Sequence, residues 1–150
     1  MSNAIRIKET GDYAELIPLF RESGLEIHVD EDQKPKGMIT CWKAERNGQL
    51  AGGVSIEKKE GYFVIGDIAV EASMRDENIG SLLLATAMEK IYELEGEEIF
   101  LVAKAPKFFE RYGFTYLTAE EAPAIFNCST CDQRGTSCNP EFMTFVFEED

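Results

Sequence analysis

The sequence lacks the long apolar runs and the excess of basic side chains that mark two common classes of protein. Nowhere in its 150 residues does an apolar stretch approach the roughly 18 residues that a membrane-spanning helix requires. Its first residues contain no apolar segment typical of a secretory signal. Lysine and arginine number 15 against 28 aspartates and glutamates, which gives a formal net charge of −13. Because nucleic-acid binding needs basic side chains to neutralise phosphates, we expect no nucleic-acid partner. The missing apolar runs lead us to expect a cytoplasmic protein that does not bind membranes.

The chain has one histidine and four cysteines, which limits the metal sites that it can build. His28 is the only histidine, and it lies in a charged stretch where a surface role is the ordinary one. Three of the four cysteines, Cys128, Cys131 and Cys138, form a CxxC pair followed by a third thiol. Three thiols are one ligand short of a tetrahedral zinc site. Reduced structural thiols, a redox pair and a metal clip therefore all stay open, and we assign no metal ligand.

The length and composition predict a single domain over residues 1–150, with a cysteine-containing segment and a closing strand at about 119–150. A chain of this length can bury a substantial core. Hydrophobic periodicity and turn residues predict a helix over 13–20, a long helix from Ile79 to Gly96 and a third helix over 106–112. Asn47-Gly48 predicts a hairpin turn. The predicted strands are 5–8, 38–45, 50–58, 62–70, 99–102, 115–117 and 142–147, and their order indicates an α+β fold. The predicted apolar face of the long helix comprises Ile79, Leu82, Leu83, Thr86, Ala87, Ile91 and Leu94.

The most informative segment is 66–83, where an apolar strand ends in a polar loop that leads directly into the long helix. Unpaired N–H groups at such a helix start point towards one place, which is a physical basis for binding a phosphate or pyrophosphate. Ile68-Ala69-Val70 ends the strand, and Arg75-Asp76-Glu77-Asn78-Ile79-Gly80 forms the loop. This pattern resembles motif A of the GCN5-related N-acetyltransferases, the GNAT family, whose loop holds the pyrophosphate of acetyl-CoA.

Asn78 stands where the first glycine of that motif is expected. Glycine is used there because the backbone takes a positive φ, and asparagine tolerates that conformation better than most residues do. Gly80 is retained, and a side chain there would hinder close approach to a phosphate. Asp76 and Glu77 place two carboxylates beside a site for an anion.

Residues 105–114 resemble motif B of the same family, a helix beside the cofactor followed by a glycine turn into another strand. The pattern contains Phe109 where many members have a catalytic tyrosine. Tyr112 lies three residues later, about one helical turn away. It is our candidate for protonating the departing thiolate, with core packing as the alternative role.

The resemblance implies a GNAT fold, with a mixed, mostly antiparallel sheet that splays at its centre and has helices on both faces. It also implies acetyl-CoA as cofactor and leaves a homodimer possible. Asp67, just before the motif triplet, is the candidate general base, with a structural hydrogen bond as the alternative. The resemblance assigns cofactor binding to Ile68, Ala69, Val70, Arg75, Asp76, Glu77, Asn78, Ile79, Gly80, Ser81 and Phe109, while Lys104 or Lys107 could add positive charge.

The function predicted from these motifs is direct transfer of an acetyl group from acetyl-CoA to a primary amine of a small molecule or peptide. A cationic acceptor would suit the acidic surface, although such surfaces are more often simply solvated. The alternative is a non-catalytic acyl-CoA-binding or thiol-sensing module, which Phe109 and the cysteines favour. The acceptor itself has no recognisable sequence code.

Overall fold

The computed structural model describes residues 5–25, 27, 35–72, 78–103, 105–118, 120–121 and 141–147. Within these residues seven strands form one sheet in the order β1-β2-β3-β4-β5-β7-β6. The strands are β1 Ile5–Glu9, β2 Met38–Arg46, β3 Gln49–Lys59, β4 Tyr62–Val70, β5 Glu98–Ala103, β6 Thr115–Leu117 and β7 Glu141–Val146. A 3₁₀ turn at Tyr13–Leu16 leads into helix α1, Ile17–Glu22; helix α2 is Ile79–Glu93 and helix α3 is Pro106–Glu110.

The sheet is mixed and opens near its middle, between β4 and β5. Strands β1 to β4 pair antiparallel in chain order, as do β5 with β7 and β7 with β6. Strands β4 and β5 are parallel, and their described register joins Phe63 to Ile99 and Val64 to Phe100 at the start of each strand. Beyond Val64, β4 continues its register with β3 up to the pair of Val70 and Gly52. The predicted α+β sheet, splayed at its centre, is confirmed.

Helices pack on both faces of the sheet, and two adjacent glycines of β3 allow this close approach. A Cβ atom at Gly52 would lie 2.9 Å from Leu83 Cδ1 of α2, and one at Gly53 would lie 2.9 Å from Leu16 Cδ2 on the opposite face. Real Cβ atoms hardly ever approach other atoms so closely, so side chains here would push the helices outwards. The two faces thereby form separate cores, a large one under α2 and a smaller one under the 3₁₀ turn and α1.

Local sequence signals predicted most of the elements correctly. At the turn, Asn47 has a φ of 53° and Gly48 a φ of 78°. A two-residue hairpin turn formed by Asn-Gly requires a positive φ at both residues. The strand at Tyr62–Val70 has the predicted bounds. Helix α3 is shorter than predicted, because it ends at Glu110 and the chain then turns at Gly113, where φ is 94°.

One prediction about packing is wrong. Leu82 and Leu94 were expected on the apolar face of α2, but they are 45% and 41% exposed, whereas Leu84 is buried. Leu83 and Leu84 belong to the large core, Leu82 lies to one side of the apolar face, and Leu94 comes after the last helical residue.

The C-terminal strand β7 joins the sheet between β5 and β6, so the short β6 forms the edge.

No helix in the described part of the chain combines the length and the apolar character needed to cross a lipid bilayer.

Candidate functional site

Helix α2 begins at Ile79, and the residue before it, Asn78, has a left-handed backbone with φ 60° and ψ 20°. This confirms the positive φ predicted for the asparagine that replaces a motif glycine. The backbone N–H of Leu82 donates a hydrogen bond to the carbonyl oxygen of Asn78, with 3.1 Å between nitrogen and oxygen. This is the first helical hydrogen bond of α2 among the described residues. The N–H groups of Ile79, Gly80 and Ser81 precede it at the helix start, and the Asn78 side chain makes no capping hydrogen bond. These donors and the helix dipole favour an anion at this end of α2.

Three elements meet around Gly80, at the start of α2. A Cβ atom there would lie 3.3 Å from Cζ of Phe108 in α3 and 3.6 Å from Cγ2 of Val70 at the end of β4. Phe108 therefore packs directly over the helix start, in the space that a larger residue would need. Motif A and motif B are brought together at this point.

Tyr112 and Phe109 lie in different environments, although both belong to motif B. The Tyr112 hydroxyl is in hydrogen-bonding contact with Ser81 Oγ, in the first turn of α2, and its side chain is 38% exposed. Phe109 is buried in the large core, with its ring edge-on to those of Phe108 and Phe114. Tyr112 is thus a polar group at the helix start, whereas the Phe109 ring contributes packing.

Two basic side chains lie close to Phe108 in sequence or space, despite the strongly acidic net charge. Lys107 is exposed in α3, and exposed Arg111 directly follows α3 with its guanidinium 5.7 Å from the centre of the Phe108 ring. Lys107 was expected near the cofactor from the sequence, whereas Arg111 was not. Arg75 and Lys104, the other cations expected there, lie outside the described residues.

A bulge in β4 determines where Asp67 lies. Ser55 of β3 is opposite Asp67, and the next residue, Ile56, is opposite Ile65, so Gly66 is an extra residue in β4. Ile65 belongs to the large core on the α2 face. The bulge shifts the alternation of side chains by one residue, and Asp67 consequently lies on the α1 face, at the part of β4 beyond its described pairing with β5.

Asp67 is held there by hydrogen bonds from two elements. The Tyr13 hydroxyl donates to Asp67 Oδ2 at 2.6 Å, and the backbone N–H of Asp67 donates to Ser55 Oγ at 3.1 Å. Ser55 Oγ also lies 3.5 Å from Asp67 Oδ2. We call Tyr13, Ser55, Glu57 and Asp67 the acidic cluster.

Glu57 is the most deeply placed carboxylate of the acidic cluster. Its residue is 4% exposed, and its Oε1 lies 3.1 Å from Lys59 Nζ. A Cβ atom at Gly66 would collide with Glu57 Oε2, so the bulge position has no room for a side chain. Burial raises the pKa of Glu57, the Lys59 cation counteracts this, and the Asp67 charge raises the pKa further.

The phenol of Tyr13 remains protonated throughout the physiological pH range. The residue is 1% exposed, and its ring lies 5.6 Å from that of Phe20. Burial raises the pKa of Tyr13 far above its ordinary value, and the neighbouring Asp67 charge raises it further. Tyr13 therefore acts as a permanent hydrogen-bond donor to Asp67.

The structure brings together one group of the residues selected from the sequence and separates the others. Val70, Asn78, Ile79, Gly80, Ser81 and Tyr112 surround the start of α2. Asp67 instead lies on the other face of the sheet, while Ile68 packs against the large core and Ala69 against the small one.

Arg75, Asp76 and Glu77 lie outside the described residues, as do His28, Cys128, Cys131 and Cys138. The described residues contain no group of three or more histidine, cysteine, aspartate or glutamate side chains able to hold a metal ion.

Three members of the acidic cluster were not predicted as site residues from the sequence: Tyr13, Ser55 and Glu57. One signal was available: Ser55 and Glu57 alternate with Val54 and Ile56 in a strand covered on both faces. Polar residues at buried strand positions indicate a hydrogen-bonded cluster.

Comparisons with known proteins agree with this architecture. Residues 38–116, which are 79 of the 150, match the model of the acetyltransferase (GNAT) domain. N-alpha-acetyltransferase 30 of Dictyostelium discoideum is 38% identical over 85 residues, which cover 50% of this chain and 45% of the relative. The chain thus spans less than half the length of that protein.

Solved structures have the same fold. N-acetylglutamate synthase from Neisseria gonorrhoeae, complexed with coenzyme A and N-acetyl-glutamate, has a TM-score of 0.74 at 19% identity; the match covers 99% of this chain and 36% of that one. A GNAT-family acetyltransferase from Staphylococcus aureus Mu50 has a TM-score of 0.73 at 20% identity, with 97% and 100% covered. The domain match and the splayed sheet show that the chain belongs to the GNAT acetyltransferase family.

Proposed function

We propose that the protein is an acetyl-CoA-dependent N-acetyltransferase that acetylates a primary amine by direct transfer in a ternary complex. The observation that carries this proposal is the start of α2. There, a left-handed Asn78 precedes three helix-start N–H groups, directly beyond the open part of the sheet. This arrangement suits a pyrophosphate at the helix and an extended pantetheine arm between β4 and β5.

The residues that would hold the cofactor follow from this placement. The N–H groups of Ile79, Gly80 and Ser81 would bind the pyrophosphate, and Lys107 and Arg111 would add positive charge nearby. The family resemblance assigns the pantetheine amides to the backbone of β4 at Ile68 and Val70, and this part of β4 lies beyond its described pairing with β5. The family resemblance places Arg75, Asp76 and Glu77 in the same loop.

Asp67 is the proposed general base. An amine attacks a thioester only when it is uncharged, so a carboxylate must accept its proton directly or through water. Asp67 lies on the α1 face, which is the acceptor side in the family, and is fixed by Tyr13 and Ser55.

Tyr112 is the proposed acid for the departing thiolate. It is the exposed hydroxyl of motif B, since Phe109 has none. In the described structure its hydroxyl contacts Ser81 at the start of α2, where the pyrophosphate is proposed, so to protonate the thiolate at the far end of the pantetheine arm the side chain would have to turn away from Ser81.

A non-catalytic acyl-CoA-binding module is the second candidate, and the buried Phe109 favours it. The ring occupies the position of the usual tyrosine and is fixed in the core by Phe108 and Phe114. Such a module would retain the cofactor site without transferring the acetyl group.

Incubation of the protein with acetyl-CoA and a panel of amines distinguishes the two candidates. The panel contains a polyamine, an aminoglycoside, glutamate and a peptide with a free N-terminus; the last two follow the names of the Neisseria and Dictyostelium proteins. We expect mass spectrometry to detect an acetylated product of at least one amine, at a rate well above that of a reaction without protein. Tight binding of acetyl-CoA with no product from any amine or protein acceptor would favour the binding module.

A further inference from the structure

We propose that Tyr13 is a positioning residue whose buried hydroxyl fixes the Asp67 carboxylate beside the β4 bulge and stabilises its charged form. This inference rests on the proposed role of Asp67 as the base. It adds a residue of the first helical turn to a site otherwise built from β3 and β4.

The contact between the two side chains is short and connects distant parts of the chain. The Tyr13 oxygen lies 2.6 Å from Asp67 Oδ2, across 54 residues of sequence. This distance is typical of a hydroxyl that donates to an ionised carboxylate, and such bonds are stronger than neutral ones. The hydroxyl thus connects the 3₁₀ turn to the bulged strand.

The packing around Tyr13 leaves its hydroxyl little freedom to move. The ring is 1% exposed, and it belongs to the small core with Leu16 and Phe20. A donor held by a rigid core can fix the orientation of its acceptor, which is a common requirement for a catalytic base.

Some of the charged and titratable groups around Asp67 favour its ionised form, and others oppose it. From β3, the Glu57 carboxylate opposes ionisation of Asp67, and Lys59 partly offsets Glu57 through its ion pair at 3.1 Å. Also from β3, Ser55 accepts a hydrogen bond from the Asp67 backbone. From β2, the Cys41 thiol is close enough to Tyr13 to contribute to the raised pKa of its hydroxyl. The Tyr13 hydroxyl donates the short hydrogen bond to the Asp67 carboxylate. Removal of this hydroxyl should therefore destabilise the ionised form of Asp67 relative to the protonated form.

Replacement of Tyr13 by phenylalanine tests this role, because it removes the hydroxyl and keeps the ring. Carbon-13 NMR of protein labelled at the aspartate carboxyls follows Asp67 directly, with its signal identified by its loss in Asp67→Asn. We expect the titration midpoint of Asp67 to rise by about 1 pH unit in Tyr13→Phe. The acid limb of the kcat/KM profile should move in the same direction, and kcat above the midpoint should fall by about tenfold.

Tyr92→Phe is the matched control, because it also removes a phenol hydroxyl and keeps the ring. Tyr92 lies in α2 on the other face of the sheet and is 62% exposed, so we expect an unchanged Asp67 midpoint. An unchanged midpoint in Tyr13→Phe would overturn the inference and leave Tyr13 as a packing residue. If the midpoint rises but wild-type protein acetylates no amine, the positioning role stands and the proposed function fails.

Discussion

Asp67→Asn is expected to lower kcat/KM for the acetylated amine by about 10²- to 10⁴-fold, the range typical of a general base. The side-chain amide has nearly the same shape as the carboxylate, and its oxygen can still accept the hydrogen bond from Tyr13. The amide cannot accept the proton that the substrate amine must lose for the transfer. Steady-state rates at saturating acetyl-CoA measure this loss, and the affinity for acetyl-CoA should remain at the wild-type value.

Glu60→Gln is the matched control for removal of one negative charge. Glu60 is exposed in the turn between β3 and β4, so its replacement should leave kcat/KM unchanged within about twofold. A loss of less than about tenfold in Asp67→Asn would exclude Asp67 as the base and leave it with a structural hydrogen bond.

Gly80→Leu is expected to weaken acetyl-CoA binding by about 100-fold, which corresponds to roughly 2.7 kcal/mol. Its Cβ atom would lie 3.3 Å from the Phe108 ring, and the rest of the side chain needs space that Phe108 occupies. Displacement of Phe108 would disturb the helix start and crowd the place proposed for the pyrophosphate. Isothermal titration calorimetry with acetyl-CoA measures the change in affinity.

Ala85→Leu adds a leucine to an exposed position of the same helix, away from its start. It should bind acetyl-CoA with wild-type affinity, and a melting curve of each variant would show that both are folded. Equal affinities for the Gly80→Leu variant and wild type would place the cofactor away from this end of α2.

The start of α2 could be predicted from the sequence because its determinants are local. The end of β4, the left-handed Asn78 and the helix that follows all lie within about a dozen consecutive residues. Asn78 illustrates the physical reason: few residues other than glycine adopt a positive φ, so an asparagine in that position indicates the conformation by itself. The same kind of signal identified the hairpin at Asn47-Gly48.

The acidic cluster could not be predicted in the same way, because it depends on long-range pairing. Tyr13 and Asp67 are 54 residues apart, and they meet only because the 3₁₀ turn packs on the face to which Asp67 is directed. The face itself depends on the bulge at Gly66, which no short motif indicates. A regular β4 would place Asp67 on the α2 face with Ile65.

The buried face of α2 could be predicted only in part from the sequence. The periodicity of α2 correctly marked Ile79, Leu83, Ala87 and Ile91 as buried. The periodicity does not show whether Leu82 or Leu84, at the two margins of this apolar face, is buried. That depends on how the helix is rotated about its axis against the sheet.

In the proposed cofactor site, the N–H groups at the start of α2 bind the pyrophosphate of coenzyme A. Titration of nitrogen-15-labelled protein with coenzyme A, followed by amide NMR, tests this placement most directly. We predict that the amide signals of Asn78, Ile79, Gly80 and Ser81 shift most. Saturation of the protein with those four signals unmoved, and the largest shifts elsewhere, would contradict the claim.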